Sequence, residues 1–342
     1  AEFLPELRAA VSTCLVIVAD GLWRIVRDSV PLPHSRDRRV TALAARPTPK
    51  RPRYWGDWVL WGLLRLLLLL PYGLLMRLGE GLGGLSRWIL ASRRKVVEAN
   101  VRVCFPELER VARAALVREH FRAMGRGVIE AALAWWAPDS KLAARGEVVG
   151  LEHLDAALEE GGVILLTGHF TTLELAARFL AMHRPFHAMY RPLNARFWDV
   201  VTTRAREARS QRPSVPRRDL RGLIRTLRKG GAIWYGPDQT LSARNSVFLP
   251  FFGVPALTLT ATSRLAGMGR AKVVPFYPQR LPGDRYRIVI EPPFQDFPTE
   301  DPVADARRIT ESLEDAIRRC PAQYFWMHRR FKKRPPGEAP VY

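Results

Sequence analysis

Residues 163–178, VILLTGHFTTLELAAR, constrain the fold more than any other stretch of the chain. Their first four residues form an aliphatic run bounded by glycines, which is typical of a buried strand in a parallel sheet. Thr171 or Thr172 can cap the helix that follows, whose apolar residues recur at helical spacing. The pattern predicts a strand, a turn and a helix, with His169 on the turn and Glu174 in the first turn of the helix.

This placement gives the two side chains a chemical use. In an open α/β sheet, ligands bind at the carboxyl ends of the strands. A neutral imidazole there can take a proton from a hydroxyl, and a carboxylate bonded to its other nitrogen would fix its tautomer. The stretch contains no G-x-S-x-G elbow and no cysteine, so we expect direct transfer to a hydroxyl without a covalent enzyme intermediate.

An isolated H-x4-E spacing is weak evidence by itself. Such a pair is more often a loop histidine beside an exposed acid that complements the start of a helix. The position of His169 after a buried strand, and the motifs further along the chain, are what favour catalysis.

The charge of the chain indicates an anionic partner. It has 54 Lys and Arg against 33 Asp and Glu, a formal net charge of +21. Nucleic acid, a phosphorylated substrate and an anionic membrane face all suit this charge. Three distant cysteines suggest neither a disulfide framework nor a zinc site, and we expect no metal; they are Cys14, Cys104 and Cys320.

The N-terminal part differs in composition from the rest. The strongest apolar segment, Trp58 to Met76, is about long enough for a spanning helix, but Arg65 and Pro71 interrupt it. It can span the bilayer, lie obliquely in one leaflet or form a core helix, and basic residues on both sides leave its orientation open. The predicted divisions are a poorly patterned basic extension at 1–52, a membrane anchor helix at 53–80 and a catalytic domain at 81–342.

Two amphipathic helices are predicted between residues 85 and 136, and after them strands and helices alternate as in an α/β domain. Arg191 and Asp238 are each predicted at the carboxyl end of a strand, on the edge that carries His169. Strands are predicted at 147–150, 163–166, 186–190, 232–235, 246–252, 272–277 and 286–290. Helices are predicted at 151–158, 196–209, 219–229, 258–268 and 300–319, with a turn at Val254-Pro255.

Taken together, several ordered motifs resemble one family. They are His169-x4-Glu174, Tyr190-Arg191-Pro192, Pro237-Asp238-Gln239, SVFLPFFG at 246–253, KVVPF at 272–276 and YFWMHRRFKKRP at 324–335. The chain resembles the late acyltransferases of lipid A biosynthesis, most closely the lauroyltransferase type, within the H-x4-D/E lysophospholipid acyltransferase-like superfamily. The resemblance begins near Arg53 and runs almost to the last residue.

The resemblance implies an α/β fold with a mixed, mostly parallel sheet flanked by helices, as in glycerolipid acyltransferases, and an N-terminal membrane-anchoring helix. It implies an enzyme of the bacterial inner membrane with a cytoplasmic active site. That enzyme would move a laurate-like acyl group from acyl carrier protein to the hydroxyl of a hydroxyacyl chain on a Kdo-bearing lipid A precursor. It would need no cofactor, and its partners would be the carrier protein, the precursor and the membrane phospholipids, not nucleic acid.

Carried over residue by residue, the resemblance makes His169 the general base and Glu174 its orienting partner. Arg206 is the best match, among the arginines at 204–209, for an arginine that assists the site. Asp238 matches the acid of the family's P-D motif, but Thr240 stands where many relatives carry a second acid. Candidate substrate contacts are Arg191, Arg206, Asp238, Arg329 and Arg330; the last two fit lipid headgroups equally well, and His328 is expected to be structural.

Two other functions remain open from the residues. One is an acyltransferase acting on a different glycolipid or on a lysophospholipid. The other is a membrane-tethered nucleic-acid-binding protein, for which the basic, aromatic tail is suitable, although the sequence shows no recognition motif.

Overall fold

A computed structural model of the protein describes residues 52–239 and 245–342. The predicted extension therefore lies outside the described residues, apart from its last residue, and so does Thr240. The helices are α1 Trp55–Leu67, α2 Tyr72–Ile89, α3 Ala91–Cys104, α4 Arg110–Trp136, α5 Asp139–Leu142, α6 Leu151–Glu160, α7 Leu173–Ala181, α8 Arg196–Ser210, α9 Leu220–Arg228, α10 Ala261–Gly269 and α11 Pro302–Arg319. The strands are β1 Gly146–Val149, β2 Gly162–Leu166, β3 His187–Tyr190, β4 Val215–Pro216, β5 Ala232–Tyr235, β6 Ser246–Phe251, β7 Val254–Leu259, β8 Ala271–Leu281 and β9 Arg285–Ile290.

Seven strands form one sheet in the order β1-β9-β8-β2-β5-β3-β4. Strand β2 lies at its centre, parallel to both β8 and β5, and all five of its residues are buried. Only the β8–β9 pair is antiparallel within this sheet. This confirms the predicted α/β class with a mixed, mostly parallel sheet, and it explains why β2 reads as a continuous aliphatic run.

Strands β6 and β7 form a separate antiparallel hairpin. The sequence prediction was wrong here, because it placed a turn at Val254-Pro255 and began the next helix at residue 258. In the structure, Val254 pairs with Phe251 and Thr258 with Val247, so the chain stays extended until Leu259. The helix α10 begins only at Ala261.

The apolar segment at 58–76 does not form one helix, which corrects the predicted anchor helix at 53–80. Helix α1 ends at Leu67, and Pro71 stands immediately before α2. Proline lacks the N–H that a continuing helix would use, so it begins a new helix instead. Within residues 52–239 and 245–342, every helix falls short of the length or the apolar character needed to cross a bilayer.

The predicted boundary at residue 80 falls inside α2, which packs closely against α4. A Cβ atom on Gly83 would lie only 2.1 Å from the backbone oxygen of Phe121, so the glycine permits this approach. Helix α4 in turn contacts the sheet through Glu130, which is fully buried and paired with Arg280 of β8 at 2.6 Å. The N-terminal helices and the sheet therefore share one core.

Candidate active site

The sheet order brings His169 and Asp238 together. Each residue lies three positions beyond the end of its strand, His169 after β2 and Asp238 after β5. The two strands are parallel neighbours, with Leu166 opposite Tyr235. Their carboxyl ends therefore meet at the edge of the sheet where α/β proteins bind ligands.

The contact between these side chains has two parts. Nδ1 of His169 lies 2.5 Å from Oδ1 of Asp238, and the backbone N–H of His169 donates to Oδ2 at 3.0 Å. Gly236 allows the imidazole close to β5, since a Cβ atom there would lie 3.2 Å from Cε1 of His169. The carboxylate thus holds both the ring and the backbone of the turn, with Nδ1 as the donor and Nε2 left as a base.

Asp238 is kept ionised by its neighbours. Burial by itself raises the pKa of this carboxyl group, but the charge and hydrogen bonds of His169, together with the Tyr324 hydroxyl, lower it to about 2. Tyr324 donates to Oδ2 of Asp238 at 2.9 Å. A buried anion fixed by three donors is well suited to stabilise an imidazolium.

The C-terminal segment holds the turn that carries His169 from the other side. The N–H of Phe325 donates to the oxygen of His169 at 2.8 Å, and the N–H of Thr171 donates to the oxygen of Gln323 at 2.7 Å. Phe170 and Tyr324 form an isolated antiparallel bridge. The aromatic and basic tail therefore contributes Tyr324 to the site, a role that the sequence pattern did not reveal.

Glu174 does not contact His169, and the prediction that its carboxylate orients the imidazole was wrong. Glu174 accepts from Nη2 of Arg206 at 2.6 Å, from Nε of Arg206 at 3.0 Å and from Nε1 of Trp135 at 2.8 Å. It is the second residue of α7, and the helix directs it towards α4 and α8 instead of the strand end. Asp238 occupies the place expected for Glu174, and Arg206 is the counter-ion of Glu174.

The Glu174–Arg206 pair predicts a loss of stability in Glu174→Gln. Both side chains are about one-fifth exposed, so the variant leaves a mostly buried guanidinium without its anion. We expect the free energy of unfolding to fall by about 2 kcal/mol, measured by urea denaturation. Transfer activity should fall much less than in a variant of His169, because the His169–Asp238 contact is untouched.

A matched control is Glu147→Gln, which removes one charge from the exposed Glu147–Arg287 pair. It should change the free energy of unfolding by no more than about 0.5 kcal/mol. The orienting role predicted for Glu174 would be restored by a different result: Glu174→Gln with unchanged stability and a loss of transfer activity as large as that of a His169 variant.

An open cleft lies beside His169. Arg191 lines it, as its predicted place at the end of β3 requires, and so does Arg217, which the sequence analysis did not single out. Leu173 and Trp234 supply apolar wall. A positively charged cleft with an apolar side suits an amphipathic, anionic substrate.

The structure does not bring Arg329 and Arg330 into this site. The guanidinium of Arg330 is buried and donates to the oxygen of Leu257 at 2.7 Å and to Oγ1 of Thr258 at 2.8 Å, which corrects its prediction as a substrate contact. Arg329 is exposed and stacks over Tyr342. His328 is buried, and burial lowers its pKa to about 3, which agrees with a structural role.

The arrangement can perform acid–base chemistry at a hydroxyl. His169 is 16% exposed and faces the cleft, so its free nitrogen is open to a substrate while Asp238 lies behind it. Among residues 52–239 and 245–342, no His, Cys, Asp and Glu side chains converge as metal ligands would. Cys104 and Cys320 are both buried thiols, and burial raises the pKa of each.

Comparisons with known proteins show the family of the chain. The family model described as bacterial lipid A biosynthesis acyltransferase matches residues 45–333. The chain is 40% identical to the lipid A biosynthesis lauroyltransferase of Escherichia coli K12 over 289 residues, 84% of this chain and 94% of the relative. It is 36% identical to the palmitoleoyltransferase of that strain, over 85% of this chain and 95% of the relative, and 31% identical to its myristoyltransferase, over 86% and 92%.

Such coverage, from before α1 to within ten residues of the C-terminus, takes in the turn that carries His169, the Asp238 loop and the tail that carries Tyr324. The chain therefore belongs to the bacterial lipid A biosynthesis acyltransferase family, and it is an acyltransferase.

Proposed function

We propose that the enzyme transfers a fatty acyl group, laurate-like in length, from acyl carrier protein to a hydroxyl on a Kdo-bearing lipid A precursor. The acceptor hydroxyl belongs to a hydroxyacyl chain of that precursor. The observation that carries the proposal is the His169–Asp238–Tyr324 chain of hydrogen bonds at the edge of an arginine-lined cleft. Relatives named as lauroyl-, palmitoleoyl- and myristoyltransferases support the reaction class.

The proposed reaction has two steps. Nε2 of His169 takes the proton of the acceptor hydroxyl as its oxygen attacks the thioester carbonyl carbon, and Asp238 stabilises the imidazolium. The tetrahedral intermediate then expels the carrier-protein sulfur, which receives the proton from Nε2, so that an ester and a free thiol are formed. The enzyme ends as it began, without a covalent intermediate.

The basic charge of the protein supports the proposed partners. Acyl carrier protein is acidic and the acceptor carries phosphates and acidic sugars, so a formal net charge of +21 would steer both towards the enzyme. The same charge would favour an anionic membrane surface.

The test is a transfer assay with detergent-solubilised protein. Lauroyl, hydroxylauroyl and myristoyl thioesters of acyl carrier protein are each offered with tetraacylated lipid A precursor, and products are identified by mass spectrometry. We expect one added acyl chain, with one donor preferred. Folded protein that transfers none of these donors, but acylates another glycolipid or a lysophospholipid, would overturn the choice of acceptor and support the alternative enzyme.

We also propose that α1 and α2 rest on the inner membrane with the active site on the cytoplasmic side. Exposed apolar side chains of these helices, together with Leu69 in the connection between them, form a lipid-facing surface, defined as Trp55, Val59, Leu63, Leu66, Leu69, Leu74, Leu78, Leu82, Leu85 and Trp88. An apolar surface of this extent is unusual on a monomer and typical of a protein or membrane contact. Arg65 and Arg87 lie on the same two helices, stacked over Trp61 and Trp88, which suits anionic headgroups.

The lipid-facing surface predicts a membrane-binding defect in the double variant Leu63→Glu/Leu78→Glu. Both side chains are exposed, so folding should be unaffected while insertion of two apolar groups is lost. We expect binding to vesicles of phosphatidylglycerol and phosphatidylethanolamine to fall by about tenfold or more, measured by flotation. The control Val111→Glu, exposed on α4, should bind like wild type; equal binding of all three proteins would remove this surface from the proposal.

A further inference from the structure

Two arginines stand at the outer wall of the cleft that contains His169. Arg191 follows β3 and Arg217 follows β4, and both line the cleft. The two strands are parallel neighbours, with Tyr190 opposite Pro216, and the N–H of Arg217 donates to the oxygen of Tyr190 at 2.9 Å. Both arginines therefore lie at the same edge of the sheet as the turn that carries His169.

Among the residues that the structure describes, none balances the charge of Arg217. In the part of the chain that the structure describes, its guanidinium makes neither a hydrogen bond nor an ion pair with another residue. Burial, followed by the charges of Arg191 and Arg218, lowers the pKa of Arg217. Bringing like charges together inside a cleft is unfavourable, and an anion bound between them would remove that cost.

Gln239 provides a second, independent observation in the same cleft. It lines the wall next to His169 and is only 3% exposed, and both its amide oxygen and its amide nitrogen lack a hydrogen-bond partner among the described residues. Buried polar groups are nearly always paired, and those that are not commonly face a ligand or a water. Its NH₂ group is a neutral donor that could complete an anion site.

We propose that Arg191, Arg217 and Gln239 form a phosphate-binding site. The site holds a phosphate group of either the donor or the acceptor while His169 moves the proton from the acceptor hydroxyl to the leaving sulfur. This inference rests on the proposed function. Guanidinium groups match phosphate oxygens with paired, charge-assisted hydrogen bonds, and two of them can neutralise a dianion. The phosphate can come from the phosphopantetheine arm of the donor or from the sugar of the acceptor.

The kinetic test compares Arg217→Gln with wild type on substrates that have or lack each phosphate. The donors are lauroyl phosphopantetheine and lauroyl pantetheine, and the acceptors are the lipid A precursor and its dephosphorylated form. We expect wild type to prefer the phosphorylated member of one pair by about 10- to 100-fold in kcat/KM, and Arg217→Gln to lose that preference. If the preference lost is that between the two donors, the site binds the donor phosphate; if it is that between the two acceptors, the site binds the acceptor phosphate.

The control Arg218→Gln removes the same charge from an exposed neighbour that does not line the cleft, and it should keep the wild-type preference. A direct measurement needs no turnover: binding of 4′-phosphopantetheine and of glucosamine 1-phosphate to the full chain in detergent, followed by phosphorus NMR. We expect one of them to bind wild type and Arg218→Gln, and to bind Arg217→Gln about tenfold or more weakly.

The outcomes separate the two proposals. If wild type transfers laurate but Arg217→Gln lowers kcat/KM equally for substrates with and without phosphate, the phosphate site is wrong and the proposed function stands. If wild type binds neither phosphate compound more tightly than Arg217→Gln does, the site is also wrong. Phosphate binding that depends on Arg217, without any transfer to the lipid A precursor, would support the site and overturn the acceptor.

Discussion

His169→Ala is expected to lower the turnover number for acyl transfer by about 10³- to 10⁴-fold. The imidazole is the only base that the described site presents to the cleft with a carboxylate behind it, and alanine leaves nothing to accept the hydroxyl proton. The residue lies on a turn held by backbone bonds to Phe325 and Asp238, which do not need the imidazole. The protein should therefore stay folded, although its midpoint of unfolding should fall, because the buried Asp238 carboxylate loses its imidazole partner.

The measurement is the rate of transfer from lauroyl carrier protein at saturating acceptor, with the midpoint of unfolding recorded on the same preparation. His183→Ala is the matched control, because His183 is exposed and lies away from the cleft; it should keep wild-type activity. Added imidazole should restore part of the activity of His169→Ala. Turnover within about tenfold of wild type in a folded His169→Ala would contradict the general-base assignment.

The central unit of the fold was predictable because its signals are local. An aliphatic run bounded by glycines, followed by threonines and helical periodicity, is enough to define β2, the turn and α7. The placement of His169, Arg191 and Asp238 at strand ends follows from the same local reasoning. The structure of residues 58–76 was harder to predict. Their mean hydropathy indicates one long helix, whereas a single proline, Pro71, divides the segment into two helices.

The partner of His169 was not predictable from local spacing. Glu174 is near His169 in the chain, but the start of α7 turns it towards Trp135 and Arg206, whereas Asp238 is 69 residues away in sequence and 2.5 Å away in space. That proximity depends on β5 lying next to β2, and strand order is set by packing of the whole sheet. Tyr324 and Arg217 were also not predictable, because their places beside Asp238 and in the cleft depend on contacts between distant parts of the chain.

Asp238→Asn is expected to lower kcat by about 10³-fold while the protein remains folded. Asparagine has nearly the shape of aspartate, so the backbone N–H of His169 and the Tyr324 hydroxyl can still be accommodated. Asparagine lacks the negative charge that stabilises the imidazolium. Its amide can also donate, whereas the carboxylate of Asp238 can only accept from Nδ1 of His169. An amide that donates to Nδ1 would place the proton on Nε2, and the base would then be occupied.

The dependence of kcat/KM on pH tests whether Asp238 acts as an anion. The pKa of Asp238 is lowered to about 2, so the carboxylate is ionised throughout any practical assay range and its own titration does not shape the profile. The loss of kcat/KM in Asp238→Asn should therefore be present across the whole of that range, and not only above the pKa of an ordinary carboxyl group.

Tyr324→Phe separates the effect of the Asp238 charge from the effect of one hydrogen bond to it. It keeps the aromatic ring packed against Phe170 and Trp326 and removes only the hydroxyl that donates to Asp238. We expect a loss of about tenfold in kcat. If Asp238→Asn gave the same modest loss as Tyr324→Phe, Asp238 would serve only to hold the turn, and the orientation of His169 would need another source.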